Sequence, residues 1–245
     1  MKPIGKIAEI WRYPVSSMGG ERLDGTKLAA GGIAGDRIWG VARREDGEVA
    51  GPEKRRYWRP LPNLFSRLAG DTPQIGKGNG DWFDAASVEA EALASSFLDM
   101  PVALKPHVPF ETEREGFVAP RYQRADLHVL TTASLKALAA LVPDPNEIDG
   151  RRFRPNIVIE TVPELEGFAE HRFVGKRVAI GNAVIAISEP CARCSFTALA
   201  QGELTFEPAV LHRIAQHGNG GFGVLCAIEG PGAISLGDEV RLIEE

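Results

Sequence analysis

The chain opens on "IGKIAEIWRYPV", where apolar and polar residues alternate with the period of a half-buried strand. "GGIAGDRIWGVARREDGEVAG" reads as a strand, a turn at Asp46-Gly47 and a return strand. "LPNLFSRLAG" predicts a short helix closed by Gly70, and "DTPQIGKGNGDW" a glycine-rich loop. Ala90, Leu93, Ala94, Phe97 and Leu98 then recur at helical spacing, and "VALKP" follows as a strand. Residues 107 to 126 are polar, charged and broken by prolines, which marks a domain junction. Beyond it "LHVL" predicts a strand. "TTASLKALAALV" predicts a helix capped by Thr131 or Thr132, with Leu135, Leu138, Ala139 and Val142 on one side. "RPNIVIE", "GVLCAIE" and "DEVRLIEE" are strands, and "RVAIGNAVIAI" is a hairpin around Gly181-Asn182. One helix, "EPAVLHRIAQHG", interrupts them, with Pro208 in its first turn and Gly218 past its end.

Many short strands with few helices predict a β-rich, barrel-like C-terminal domain, preceded by a mixed α/β N-terminal domain. The fold class is α+β, divided into residues 1–110 and 111–245. A chain of 245 residues can bury a substantial core without a metal staple. A net charge of -5 argues against a nucleic-acid binder. No apolar run approaches the roughly 20 residues of a membrane span, and the N-terminus lacks the apolar segment of a signal peptide. The expected compartment is the cytoplasm, where three cysteines stay reduced.

Two of those cysteines, Cys191 and Cys194, stand in "SEPCARCSFT" with Arg193 between them. With His212 and His217 they follow the order of a zinc finger, but 17 residues separate Cys194 from His212, against about 12 in a finger. The two histidines are five apart on a helix and do not share a face. A thioredoxin-like pair would open a helix, whereas "SFTALAQGEL" is a weak helix former. A cysteine nucleophile needs a histidine base that no local motif supplies. Two inert buried thiols are the plain alternative. Against this, an adjacent guanidinium such as Arg193 favours the thiolate, the form that binds metal or attacks.

"RYPVSSMGG", "GIAGDRIWGV", "RFRPNIVIE", "PCARCSFT" and "GAISLGDEVRL" occur in this order over nearly the whole chain. Together they resemble the MOSC family, named for the C-terminal domain of molybdenum cofactor sulfurases. The two-domain form, with a β-barrel-like N-terminal extension, is similar to the amidoxime reducing component and its bacterial relatives. The resemblance implies molybdenum held by a pterin dithiolene and by one protein cysteine. That ligand is Cys194, with Cys191 as the fallback, and thiolate is a soft donor suited to such a metal. Cys226 lies in an apolar strand and reads as packing.

The resemblance gives the other motifs cofactor-binding roles. Arg37 and Arg152 or Arg154 are candidate cations for the pterin phosphate, since guanidinium binds phosphate bidentately, and Arg193 is a further cofactor-binding candidate. Thr131, Thr132 and Ser134 offer hydroxyls and free N–H groups at a helix start. Asn156 is placed to bond the pterin edge or to pair with backbone. Ser16 and Ser17 stand where the family carries lysine then serine, so one phosphate-contacting cation is missing. Lys54, Arg55, Arg56 and Arg59 are a candidate replacement.

The implied activity is reduction of N-hydroxylated small molecules. No flavin, haem or iron–sulfur motif is present, so electrons come from a separate reductase. A second reading is a non-redox carrier that takes sulfur from a cysteine desulfurase as a persulfide. The residues outside the C-terminal domain are too few to form that desulfurase, so pyridoxal phosphate is not expected. A third is a small-molecule binding module with an inert Cys-x-x-Cys. No membrane partner is expected.

Overall fold

The protein is described here by a computed structural model covering residues 1–244, apart from Tyr122 and Arg124. The chain runs β1 (Lys2–Arg12), β2 (Glu21–Leu23), β3 (Gly25–Ala29), β4 (Gly32–Ile33) and β5 (Trp39–Arg43). It continues through β6 (Phe65–Ala69), β7 (Thr72–Gly76), β8 (Trp82–Asp84), α1 (Val88–Leu98) and β9 (Val102–Pro106). After the junction come β10 (Leu127–Thr131), α2 (Thr132–Ala139), β11 (Ile157–Thr161), β12 (Arg177–Ile180) and β13 (Ala183–Ala192). The last elements are α3 (Pro208–Gly218), β14 (Gly221–Gly230), β15 (Gly232–Ser235) and β16 (Glu239–Ile243).

Seven strands close into a barrel in the order β11-β10-β14-β13-β12-β16-β1, and β1 returns to pair with β11. Closure removes the exposed sheet edges that would otherwise invite aggregation. All barrel pairs are antiparallel except β10 and β11, which are joined through α2 as a parallel pair requires. Strand β1 is bulged between Pro3 and Gly5 and again between Ile7 and Glu9. Its inward residues are therefore Ile4, Ile7 and Ile10, every third position instead of every second. Gly5 is required at the first bulge, because a Cβ there would lie 2.2 Å from the carbonyl oxygen of Glu160.

The barrel interior packs those isoleucines against Leu127, Val129, Ile157, Ile185, Val224 and Val240. Each such side chain contributes about 1.5–3 kcal/mol on burial. A second core, built only from residues 15–104, holds Val15, Met18, Trp58, Leu61, Leu64, Ile75 and the Ala90, Ala94 and Leu98 face of α1. A third layer packs α2 and α3 through Leu138, Val210 and Ile214 onto Phe153 and Phe222.

The fold is thus α+β and β-rich, as the patterns predict, but two local readings change. The segment read as a helix in "LPNLFSRLAG" is a 3-10 turn over Leu61–Asn63 followed by β6, and the expected glycine-rich loop contains β7. The two strands pair with each other through Ser66↔Ile75, so tertiary pairing overrides local propensity. The division at residues 110 and 111 also does not separate the cores. β1 completes the C-terminal barrel, and β3 pairs with β15. The junction predicted over residues 107 to 126 includes Tyr122 and Arg124, which lie outside the described residues.

Candidate functional site

The Cys-x-x-Cys motif ends β13. Cys194 is exposed, Cys191 half-buried and Cys226 buried in the barrel wall. Cys194 caps a 3-10 turn over Ser195–Ala198, its carbonyl accepting from Thr197 N at 3.2 Å and Thr197 Oγ1 at 3.0 Å. The thiol thus sits on a short rigid turn beyond the barrel. Protein atoms crowd its sulfur and raise its pKa. The Glu53 carboxylate adds to this, opposed by the Phe196 N–H and the charges of Arg193 and Arg121. Burial also pushes the Cys226 thiol far up, in keeping with a packing role.

Arg193 does not do what its place between the cysteines suggests. Its Nε donates to Phe222 O at 2.7 Å, Nη1 to Phe153 O at 3.0 Å, and Nη2 to the ring of His128. Its backbone N–H donates to Gly220 O at 2.8 Å. It pins the end of β13 to β14 and β10, and the Cys194 thiol stays above its ordinary value despite it. Gly223 makes room for this: at φ 74° it has no Cβ, and one there would lie 2.3 Å from His128 Nε2.

Other predicted contacts are also taken up inside the protein. Arg152 has no solvent exposure. It donates to Glu147 O at 2.5 Å, Leu199 O at 2.9 Å and Thr205 O at 2.8 Å, and it pairs with the Glu147 carboxylate. Thr131 Oγ1 and Ser134 Oγ each donate to Glu170 Oε2 at 2.5 Å. The group held at the start of α2 is therefore the chain's own Glu170 side chain. Thr132 Oγ1 accepts from Thr161 N at 3.2 Å. Asn156 takes the backbone alternative. Its Oδ1 accepts from His128 N at 3.1 Å and its carbonyl from Trp11 N at 2.8 Å. Arg152, Thr132, Ser134 and Asn156 all make hydrogen bonds within the scaffold.

Arg37 and Arg154 do come together. Both have left-handed backbones, at φ 50° and 55°. Their guanidinium carbons lie 5.0 and 4.2 Å from the centre of the Tyr13 ring, and Arg37 Nη2 donates to Arg154 O at 3.0 Å. Arg154 also lies 5.6 Å from the Phe196 ring, two residues past Cys194, and bonds Met18 O. This stack connects the "GDR" and "RFRPN" motifs to the cysteine turn. Ser16, where the family's lysine is absent, shares a 2.9 Å hydrogen bond with His107 Nε2, whose Nδ1 faces Val118 O at 2.8 Å. Ser17 follows at φ 69°.

Beside the cysteine turn lies a cleft of about 530 Å³ lined by Glu48, Val49, Gly51, Lys54, Arg55 and Arg121. Ser195 Oγ donates to Glu53 O at 3.0 Å, and Glu53 pairs with Arg121 at 2.5 Å. The basic run "EKRR" signalled Lys54 and Arg55. The pairing of Glu53 with Arg121 carried no signal, because 67 residues of chain separate them.

Among the described residues no three His, Cys, Asp or Glu side chains converge on one point, so Cys191, Cys194, His212 and His217 do not form a zinc set. Among the described residues no helix is long and apolar enough to cross a membrane.

Among curated proteins, none matches the chain. The crystal structure of YuaD from Bacillus subtilis shares 14% identity over 97% of this chain and 94% of that one, with a TM-score of 0.50. YiiM from Geobacillus stearothermophilus and YiiM from Escherichia coli each share 18% identity at a TM-score of 0.38. They cover 49% and 50% of this chain and 55% and 56% of theirs. The MOSC N-terminal beta barrel domain matches residues 4–57 and the MOSC domain matches residues 113–241, more than half of the chain. With a closed barrel carrying its cysteine motif at the end of β13, the chain belongs to the MOSC domain family.

Proposed function

We propose that this chain holds a molybdenum–pterin cofactor through Cys194 and reduces N-hydroxylated small molecules with electrons from a separate reductase. The observation that carries this reading is the exposed Cys194 thiol on a turn contacted by the Arg37–Tyr13–Arg154 stack through Phe196.

The residues present fit such a group. A soft sulfur donor is free at the surface, and cations stand on both flanks of the turn. When bound, the cofactor supplies two-electron oxygen-atom chemistry. The chain supplies placement. Arg193 fixes the turn, and Ser195 ties it to the Glu53 loop. Arg154 and Arg37, the latter paired with Asp36, stack on Tyr13 beside the turn. The thiol must lose its proton to bind metal, so loading is opposed by the crowding that raises its pKa.

The same exposed thiol supports a second reading. Cys194 would carry sulfur as a persulfide delivered by a cysteine desulfurase, with no redox turnover. Elemental analysis of protein made in cells that synthesise the pterin separates the two. Stoichiometric molybdenum, lost on Cys194→Ala and less affected by Cys191→Ala, supports the first. Equal loss in both variants leaves the ligand assignment unsupported, and retention in both refutes it. Absence of molybdenum together with a persulfide on Cys194 supports the second.

A further inference from the structure

The cleft beside the cysteine turn is basic in a protein whose net charge is -5. Three cations, Lys54, Arg55 and Arg121, stand against two carboxylates, Glu48 and Glu53. Each carboxylate positions one guanidinium. Arg55 Nε donates to Glu48 at 3.2 Å, and Arg121 Nη1 pairs with Glu53 at 2.5 Å. Arg121 also lies over Gly51, where a Cβ would be 2.3 Å from Nη1, so the floor of the cleft is a bare backbone shaped around that guanidinium. Lys54 is exposed and makes no ion pair among the described residues. Oriented guanidinium groups beside an exposed ammonium suit the several acceptor oxygens of an oxyanion.

The cleft also adjoins the thiol. The Ser195–Glu53 hydrogen bond ties its rim to the residue after Cys194, and Glu53 and Arg121 lie close enough to act on the charge of that sulfur.

From this geometry we infer that the cleft formed by Lys54, Arg55 and Arg121 is an oxyanion-binding subsite for a phosphate or carboxylate group on the ligand served by Cys194. The inference rests on the proposed function only in taking Cys194 as the reacting position. It narrows the ligand to an anionic one. The group belongs either to the substrate or to the cofactor.

The test uses inorganic pyrophosphate as the probe, titrated calorimetrically into the full chain at low salt, where exposed charges are least screened. Saturable binding at one site is expected. The Lys54→Gln/Arg55→Gln variant should weaken it at least about ten-fold, the scale of lost hydrogen bonds to charged groups. The Lys2→Gln/Lys27→Gln variant removes the same charge from exposed positions outside the cleft and should leave binding nearly intact. Lys54→Gln alone, at an exposed position, guards against a folding defect in the first variant. Absence of saturable binding to the wild-type chain, or equal weakening in the two double variants, overturns the inference. Repeating the titration on molybdenum-loaded protein assigns the source. Retained binding places the anion on the substrate, and lost binding places it on the cofactor. The probe needs neither metal nor turnover. Pyrophosphate binding by a chain that takes up no molybdenum in cells that make the pterin would sink the proposed function alone, and turnover without pyrophosphate binding would sink this inference alone.

Discussion

The guanidinium of Arg193 points at the ring of His128, away from both neighbouring cysteines. The cation that seemed placed to activate a thiol is instead a three-way pin between β13, β14 and the segment around Phe153. Lysine has one ammonium and cannot reach all three acceptors. Arg193→Lys should therefore lower stability by about 2–3 kcal/mol in a denaturant titration. Loss of stability with little change in the alkylation rate of Cys194 is the expected pair of results. A large fall in that rate at unchanged stability would restore the activating role.

His128 makes this pin sensitive to pH. Its ring is buried beside Arg193, and both effects hold its pKa well below 6.5. The folded state keeps the ring neutral while the unfolded chain takes up a proton as pH falls below about 6.5. The stability is therefore present above that pH and is lost on acidification. His128→Gln should be less stable near neutral pH, because the acceptor for Arg193 changes. It should also lose the part of the acid slope due to this ring. Parallel stability–pH curves for the two proteins would exclude His128 as the titrating group.

These two residues show where sequence reading stops. The helical face of Ala90, Ala94 and Leu98 and the cap at Thr131 are local, so periodicity and side-chain chemistry expose them. The exposed position of Cys194 follows from its place after a strand. The fates of Arg152, Arg193 and Asn156 depend on carbonyls and carboxylates many residues away. A buried arginine looks the same in sequence as a solvated one. The closing role of β1 is equally non-local, since its alternation predicts a strand but not its two partners. Gly70, which resembles the end of a helix, hides β6 in the sequence.

The three thiols should separate by reactivity. Cys194 is exposed, Cys191 half-buried and Cys226 sealed in the barrel wall. Peptide mapping after a brief exposure to iodoacetamide should find label first on Cys194, and on Cys226 only after unfolding. Because the Cys194 pKa is raised, its labelling rate should still be climbing beyond the ordinary thiol pKa of about 8.5. A plateau below that pH would show that the nearby cations prevail.

Arg152 should be the most costly of the predicted site arginines to lose. It has no solvent exposure and is paired with Glu147, which also accepts from Thr205 N and Oγ1. Arg152→Met keeps much of the volume but strands a buried carboxylate. It should cost about 3–5 kcal/mol. The double variant Arg152→Met/Glu147→Gln should recover part of that loss, because the stranded charge is gone. Failure to recover any of it would mean that the carbonyl contacts to Leu199 and Thr205 dominate.

Glu170 offers the complementary pH test. Its Oε2 accepts from Thr131 and Ser134 at the start of α2, while Oε1 is buried without a partner among the described residues. Burial raises its pKa above the ordinary 4.5, outweighing the two hydroxyls. The protonated form is thus the better fit to the fold. Its contribution is fully present below the unfolded pKa and is lost as pH rises through the folded value. Glutamine cannot ionise. Glu170→Gln should start lower in acid, since an amide NH2 replaces the partnerless oxygen, but its stability relative to wild type should climb as pH rises through that window. Equilibrium unfolding at a series of pH values reads this slope directly. A difference that stays constant across the series would mean that the hydroxyls and the helix dipole hold the carboxylate at its ordinary pKa.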